Sequence, residues 1–243
     1  MKYLKLINYI NYISKKVVNY KKRKSNINSK KFLKIKLADI QDVNELIEFH
    51  FSTYSEKDHI NKEMFRFILK YFSSSSLNIL ETGSAAHGTK SSLLFASYIK
   101  LYGGKFDTVD TNSDIKKFYN FLESRDIRFH TQDSLTYIKN LDSRVIENLD
   151  LIYLDSYDLD LDNPSPSQEH GLNEFLLLNK KIKKGAIISI DDTPISFDRF
   201  SLDKKNKFNF IPGKGRLVLD YLNDNPNLYE TIYHDYSLVL KKL

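Results

Sequence analysis

The 243-residue chain contains no cysteine, which excludes disulfides and zinc–thiolate centres and leaves the redox compartment unconstrained. No apolar run approaches the roughly 18 residues of a membrane span. The N-terminus lacks a compact apolar stretch followed by a small-residue cleavage site, so a cytoplasmic location is the expectation. Acidic residues are missing from one region altogether. Residues 1–36 hold twelve of the 37 Lys and Arg and no Asp or Glu. That leaves 25 basic residues against all 31 acidic ones, a balance of −6 for residues 37–243. The net positive charge therefore belongs to the arm, and the overall charge is no argument for nucleic-acid binding by the whole chain.

The arm itself carries apolar residues at Tyr3, Leu6, Ile10, Ile13, Val17 and Tyr20, a helical stripe with lysines toward its C-terminal end. Such a stripe suits an anionic membrane surface or a docking partner. It equally suits a solvated arm lying on its own domain, since Asn8, Asn11 and Asn19 interrupt it. Residues 21–31 read as a flexible basic linker. Helices are expected over 39–51 and 56–72 from their apolar spacing, as a cover for one face or edge of a sheet or a cap over a ligand site. The four serines 73–76 then break the pattern.

From Leu77 onward, strand and helix patterns alternate, which predicts a mostly parallel α/β sheet with helices on both faces. Strands are expected at 77–82, 106–110, 128–131, 149–155 and 185–191, and helices at 89–102, 113–124, 134–141, 167–179 and 216–223. Two terminal apolar segments, 229–234 and 237–240, are too close for a crossover and should pair as an antiparallel hairpin. The organisation is thus a basic arm (1–36), a helical extension (37–76) and an α/β domain (77–243).

The first strand runs into the turn Glu81-Thr-Gly-Ser-Ala-Ala-His-Gly-Thr89 and then a helix. Gly83 and Gly88 let the backbone turn and a ligand approach, and the helix that follows points free N–H groups at the same place. Ligands of open α/β sheets lie beyond the carboxyl ends of the strands. There the chain places Glu81, Asp110, Asp133, Asp155, Asp191 and Asp192. An Asp in such a position commonly caps a helix. As a group, however, carboxylates repel unless a cation or a hydroxyl-rich ligand satisfies them. Asp110, at the end of the second strand, is placed to accept from ribose hydroxyls. A nicotinamide dinucleotide enzyme would use the same position with a tighter glycine fingerprint than Ser84-Ala-Ala-His-Gly88.

The order Glu-Thr-Gly-Ser-x-x-x-Gly-Thr, Val-Asp-Thr, Gln-Asp-Ser, Leu-Asp-Ser-Tyr-Asp and Ile-Asp-Asp-Thr resembles a class I S-adenosylmethionine-dependent methyltransferase. It covers about residues 77–243. The pairing of Asp155 with Asp191-Asp192 is similar to the metal-dependent small-molecule O-methyltransferases, including those acting on sugars. The resemblance implies a Rossmann-like sheet, mostly parallel, ending in an antiparallel hairpin. It places Glu81 and Gly83 by the methionine part of the cofactor, Asp110 on the ribose and Asp133 near the adenine amino group, with Ser84 and Gly88 of the glycine loop also binding the cofactor. It also implies that Asp155, Asp191 and Asp192 hold a divalent cation such as Mg²⁺. The loop Ser84-Ala-Ala-His departs from the family's glycine-richer pattern.

A hydroxyl is a poor nucleophile at neutral pH, and a hard cation held by carboxylates can orient it and lower its pKa. Two residues are candidates for the base: Asp158, three positions beyond Asp155, and His170, expected in the first turn of its helix. His87 is expected to shape the cofactor pocket. The mixed segment 196–216, ending in Pro212-Gly-Lys-Gly215, is expected to be either a substrate lid hinged at Gly213 and Gly215 or a surface insertion. The leading expectation is Mg²⁺-assisted O-methylation of a small hydroxylated substrate such as a sugar or glycan precursor. The alternatives are a nucleic-acid methyltransferase using the basic arm, or a non-catalytic cofactor-binding module docked on a membrane or partner. Association with a second copy of the chain is compatible with all three.

Overall fold

The computed structural model describes residues 37–84, 88–199 and 210–243. The basic arm with its membrane and partner readings, His87 and the middle of the expected lid lie outside the described residues. A seven-stranded sheet organises the rest, in the order β3-β2-β1-β4-β5-β7-β6. Its strands are β1 (Leu77–Thr82), β2 (Gly104–Asp110), β3 (Ile127–Thr131), β4 (Leu151–Leu154), β5 (Ile187–Ile190), β6 (Tyr229–His234) and β7 (Leu238–Lys242). The first five are mutually parallel, and β7 is antiparallel to both β5 and β6. This is the sheet expected from the sequence, hairpin included.

Side chains alternate across it with period two. Leu77 and Ile79 of β1, with Leu151 and Tyr153 of β4, enter one core, whereas Leu80, Ile152 and Leu154 enter the other. The first core is covered by α1 (Val43–Thr53), α2 (Lys62–Tyr71), α3 (Ser91–Tyr102) and α4 (Ser113–Tyr119). The second is covered by α5 (Ser134–Asn140), α6 (Ser143–Glu147), α7 (Ser165–Asn179) and α8 (Arg216–Asp224). Helices α1 and α2 pack in the same core as the sheet. Phe65 of α2 stacks obliquely on Tyr153 of β4 and edge-on against Phe95 of α3.

Several boundaries shift from expectation, among them the end of α4 at Tyr119, and two helix starts do so for clear physical reasons. Helix α1 begins at Val43 because Asp42 caps it, accepting from the Glu45 amide at 2.9 Å, while Glu45 accepts from the Gln41 amide at 2.8 Å. Helix α2 begins only at Lys62, because the preceding chain turns at His59, whose Nδ1 accepts from the Asn61 amide at 3.2 Å, and the Asn61 side chain donates to Asp191 instead of capping the helix. The α6 turn was not expected at all; it is a five-residue helix started by the Asp142 cap.

Candidate functional site

The carboxyl ends of β1, β2 and β4 open into a cleft made of two adjoining cavities. One, of 320 Å³, is lined by Gly83, Asp110, Gln132, Asp133, Ser134, Tyr157 and His170, among others. The other, of 610 Å³, has Gly83, Ser84, Asp110, Asp155, Tyr157 and Asp158 in its wall. Gly83 is one of the residues they share, with Asp110, Thr111, Ser156 and Tyr157. The φ of Gly83 is +78°, and a Cβ there would stand 2.3 Å from the Asp155 carbonyl oxygen. Only glycine allows the β1 loop to cross the end of β4 this closely.

Asp110 faces both cavities, and one of its oxygens accepts from the Asn112 amide at 2.7 Å. Asn112, not Asp110, caps α4, so Asp110 is not explained as a helix cap. Asp133 does cap a helix: it accepts from the Thr136 amide at 2.9 Å and the Thr136 hydroxyl at 2.8 Å. Those bonds hold its carboxyl below the usual range, so it stays ionised in the smaller cavity. Ser84 bonds to Thr108 at 2.7 Å. Gly88 and Thr89 are fastened from the helical side, where Ser55 donates to the Gly88 carbonyl at 2.8 Å and His50 Nε2 lies 2.7 Å from the Thr89 carbonyl. Burial pushes His50 down to about 4, so at neutral pH it is neutral and its Nε2–H donates to that carbonyl.

Glu81 was expected in the cleft, but the structure places it behind the loop. Its parity on β1 is that of Leu77 and Ile79, so it points under the start of α3, fully buried, and accepts from Ser91, Ser92 and Thr108. Burial pushes Glu81 up to about 7 despite these three hydroxyls. Between its ordinary value near 4.5 and about 7 the folded chain therefore holds a proton that the unfolded chain releases. Stability falls as pH rises through that window, by about 3 kcal/mol in total. Glu81→Gln should remove this term. The difference in melting temperature between Glu81→Gln and wild type should grow in the variant's favour from pH 5 to 7.5. The opposite-signed titration of His50 is common to both proteins and cancels; parallel curves would refute the assignment.

The two base candidates are separated. Asp158 is exposed at the wall of the larger cavity. His170 lies in the second turn of α7, not the first, because the helix starts at Ser165. It lines only the smaller cavity, with Nε2 2.9 Å from Ser134 Oγ and 3.4 Å from Glu174. The bond to Glu174 pushes His170 up, so its positive form is favoured. Tyr157 was not anticipated: it has a φ of +61°, lines both cavities and packs beside the His170 ring at 5.4 Å. A positive φ at a bulky exposed residue is the one sign a sequence does not carry.

Asp155, Asp191 and Asp192 do converge, but around a lysine. Lys214 Nζ lies 2.7 Å from Asp155 and 3.2 Å from Asp192. Asp191 is turned inward, accepting from Asn61 at 2.7 Å and Ser237 at 2.7 Å. Tyr236 donates to the other oxygen of Asp192 at 2.8 Å. Burial, then the neighbouring carboxylates, push Asp155 and Asp192 above the usual range, because one ammonium does not balance three acids. Burial works against the Lys214 charge, but the carboxylates of Asp155, Asp192 and Asp191 together outweigh it and hold the ammonium protonated. As they stand these residues do not fit a resident divalent ion, since its place between the carboxylates is taken by Nζ. Among the described residues no group of three His, Asp or Glu is arranged to hold a metal. Gly213 and Gly215 are buried on either side of Lys214 and pack against Asp192 and Thr193.

By sequence, the chain matches no protein-family model and no curated protein. By structure it is similar to MycE, a methyltransferase from the mycinamycin biosynthetic pathway solved with Mg, SAH and mycinamycin VI. The TM-score is 0.57 at 14% identity, covering 84% of this chain and 55% of that one. The chain thus spans about half the length of MycE. It is also similar to the SAH-bound methyltransferase PaMTH1 of Podospora anserina, with a TM-score of 0.52 at 13% identity, covering 84% of this chain and 89% of that one. These likenesses establish a Rossmann-like class I methyltransferase fold.

Proposed function

We propose that this protein transfers a methyl group from S-adenosylmethionine to a hydroxyl of a small polar substrate, such as a sugar or glycan precursor. The observation that carries this reading is the two-part cleft pivoting on Gly83. One part presents Asp110 and the ionised Asp133 for a nucleoside; the other is a roomier, acid-lined chamber beside it. When bound, S-adenosylmethionine supplies a sulfonium methyl group that is already electrophilic.

What is left to the chain is to bind, aim and take up one proton. Asp110 would accept from the ribose hydroxyls, and Asp133 from the adenine amino group. His170 acts from the adenine side as a positioning residue, holding Ser134 and flanking Tyr157. Asp158 lies in the wall of the larger chamber and would receive the proton of the acceptor hydroxyl.

The test is transfer of labelled methyl groups to a panel of sugars and phenols. Asp158→Asn is expected to lower turnover by roughly 10²-fold or more with cofactor affinity unchanged. Label entering nucleic acid but no small acceptor would replace this substrate class with the alternative one.

A further inference from the structure

Lys214 is held where it is by its neighbours in Pro212-Gly-Lys-Gly215. A Cβ at Gly213 would stand 2.9 Å from the Asp192 carbonyl oxygen, and one at Gly215 2.8 Å from the Thr193 side chain. With hydrogens there instead, the Lys214 amide donates to the Asp192 carbonyl at 3.0 Å and the Gly215 amide to Thr193 Oγ1 at 2.9 Å. The lysine backbone is clamped onto the very turn that carries Asp191 and Asp192. Its side chain is only 4% exposed. A lysine held at both ends in this way is a fixed charge, unlike a surface lysine on a flexible stem.

The ammonium's surroundings match its chemistry. It has three donors, and three oxygens lie around it: Asp155 Oδ1 at 2.7 Å, Asp192 Oδ2 at 3.2 Å and, more loosely, the Asp155 carbonyl at 3.4 Å. A Mg²⁺ ion would need an octahedral oxygen shell at about 2.1 Å. An ammonium lodged between the same carboxylates fills that space and repels the ion. The third acid, Asp191, is committed to Asn61 and Ser237.

We propose that the Lys214 ammonium is the resident cation of this cleft, standing between Asp155 and Asp192 in place of a divalent ion, so that the site works without a metal. Its part in methyl transfer rests on the function proposed above; its occupation of the acidic site does not. The substrate class is narrowed accordingly. A metal ion has open positions that two neighbouring substrate oxygens can fill together, whereas the three donors of Lys214 already face protein oxygens. The acceptor is therefore a compound recognised through an O–H that donates to a carboxylate, not through a chelating pair of oxygens.

The test is titration of the full chain with Mn²⁺ followed by electron paramagnetic resonance, which needs neither cofactor nor substrate. Wild-type protein is expected to leave Mn²⁺ free. Lys214→Ala is expected to bind one Mn²⁺ with affinity raised roughly tenfold or more, and the double variant D155N/K214A to lose that site again. If circular dichroism shows that Lys214→Ala does not fold, Lys214→Gln, which keeps hydrogen-bonding capacity without the charge, is titrated in its place. A Mn²⁺ site in wild type that Asp155→Asn abolishes would overturn the proposal. So would a folded, charge-free variant that gains no site. Binding of S-adenosylhomocysteine is measured separately, so failure here is distinct from failure of the methyltransferase reading.

Discussion

Gly83→Ala should destabilise the protein by about 3–5 kcal/mol, combining a left-handed backbone forced on alanine with overpacking at the end of β4. The added Cβ would meet the Asp155 carbonyl oxygen at 2.3 Å, its carbon at 2.5 Å and the Ser156 nitrogen at 2.6 Å. All three are backbone atoms, so no side chain can swing away to relieve the clash. Relief requires the β1 loop and the Asp155-Ser156 segment to separate, and these are the two walls of the cleft. Urea unfolding would measure the loss, and cofactor affinity should fall with it even in the fraction that folds. A variant within 1 kcal/mol of wild type with unchanged affinity would show that the loop does not pivot at Gly83.

Asp110→Ala should act on binding alone. Asp110 is partly exposed at the junction of both cavities, and among the described residues its carboxylate accepts one hydrogen bond, from the Asn112 amide at 2.7 Å. Losing that local bond costs the fold little, because Asn112 still caps α4 through the Asp114 amide at 3.0 Å. On the proposed function the carboxylate would accept from two ribose hydroxyls, and losing it should cost about 1.5–3 kcal/mol, or roughly 10- to 100-fold in affinity for S-adenosylhomocysteine. Calorimetric titration beside a thermal melt separates the two. Unchanged affinity would move the nucleoside away from the β2 edge.

Most of the architecture was legible because the relevant signals are local. Each central strand is a short apolar run, each ends near an acidic residue, and three of the helices between them start at their own caps, Asn112, Asp133 and Asp142. The hairpin followed from the shortness of the link between β6 and β7. The cleft was legible for the same reason, since Gly83, Asp110, Asp133 and Asp155 all sit where strands end. Glu81 was misplaced although its parity with Leu77 and Ile79 already set it on the α3 side. The rest depended on partners remote in sequence. Asn61 meets Asp191 across 130 residues, and Lys214 meets Asp155 across 59. Nothing near Asn61 marks it, and the glycines around Lys214 read as a hinge until the Asp192–Thr193 turn is seen pressed against them.

The central claim is that the Gly83 cleft receives S-adenosylmethionine, and its most direct test is calorimetric titration of S-adenosylhomocysteine into the full chain with a chelator present. The expected result is saturable binding at one site per chain, weakened in Asp110→Ala and unaffected by the chelator. Absence of binding, with NAD saturating the same cleft instead, would contradict the account while leaving the fold as described.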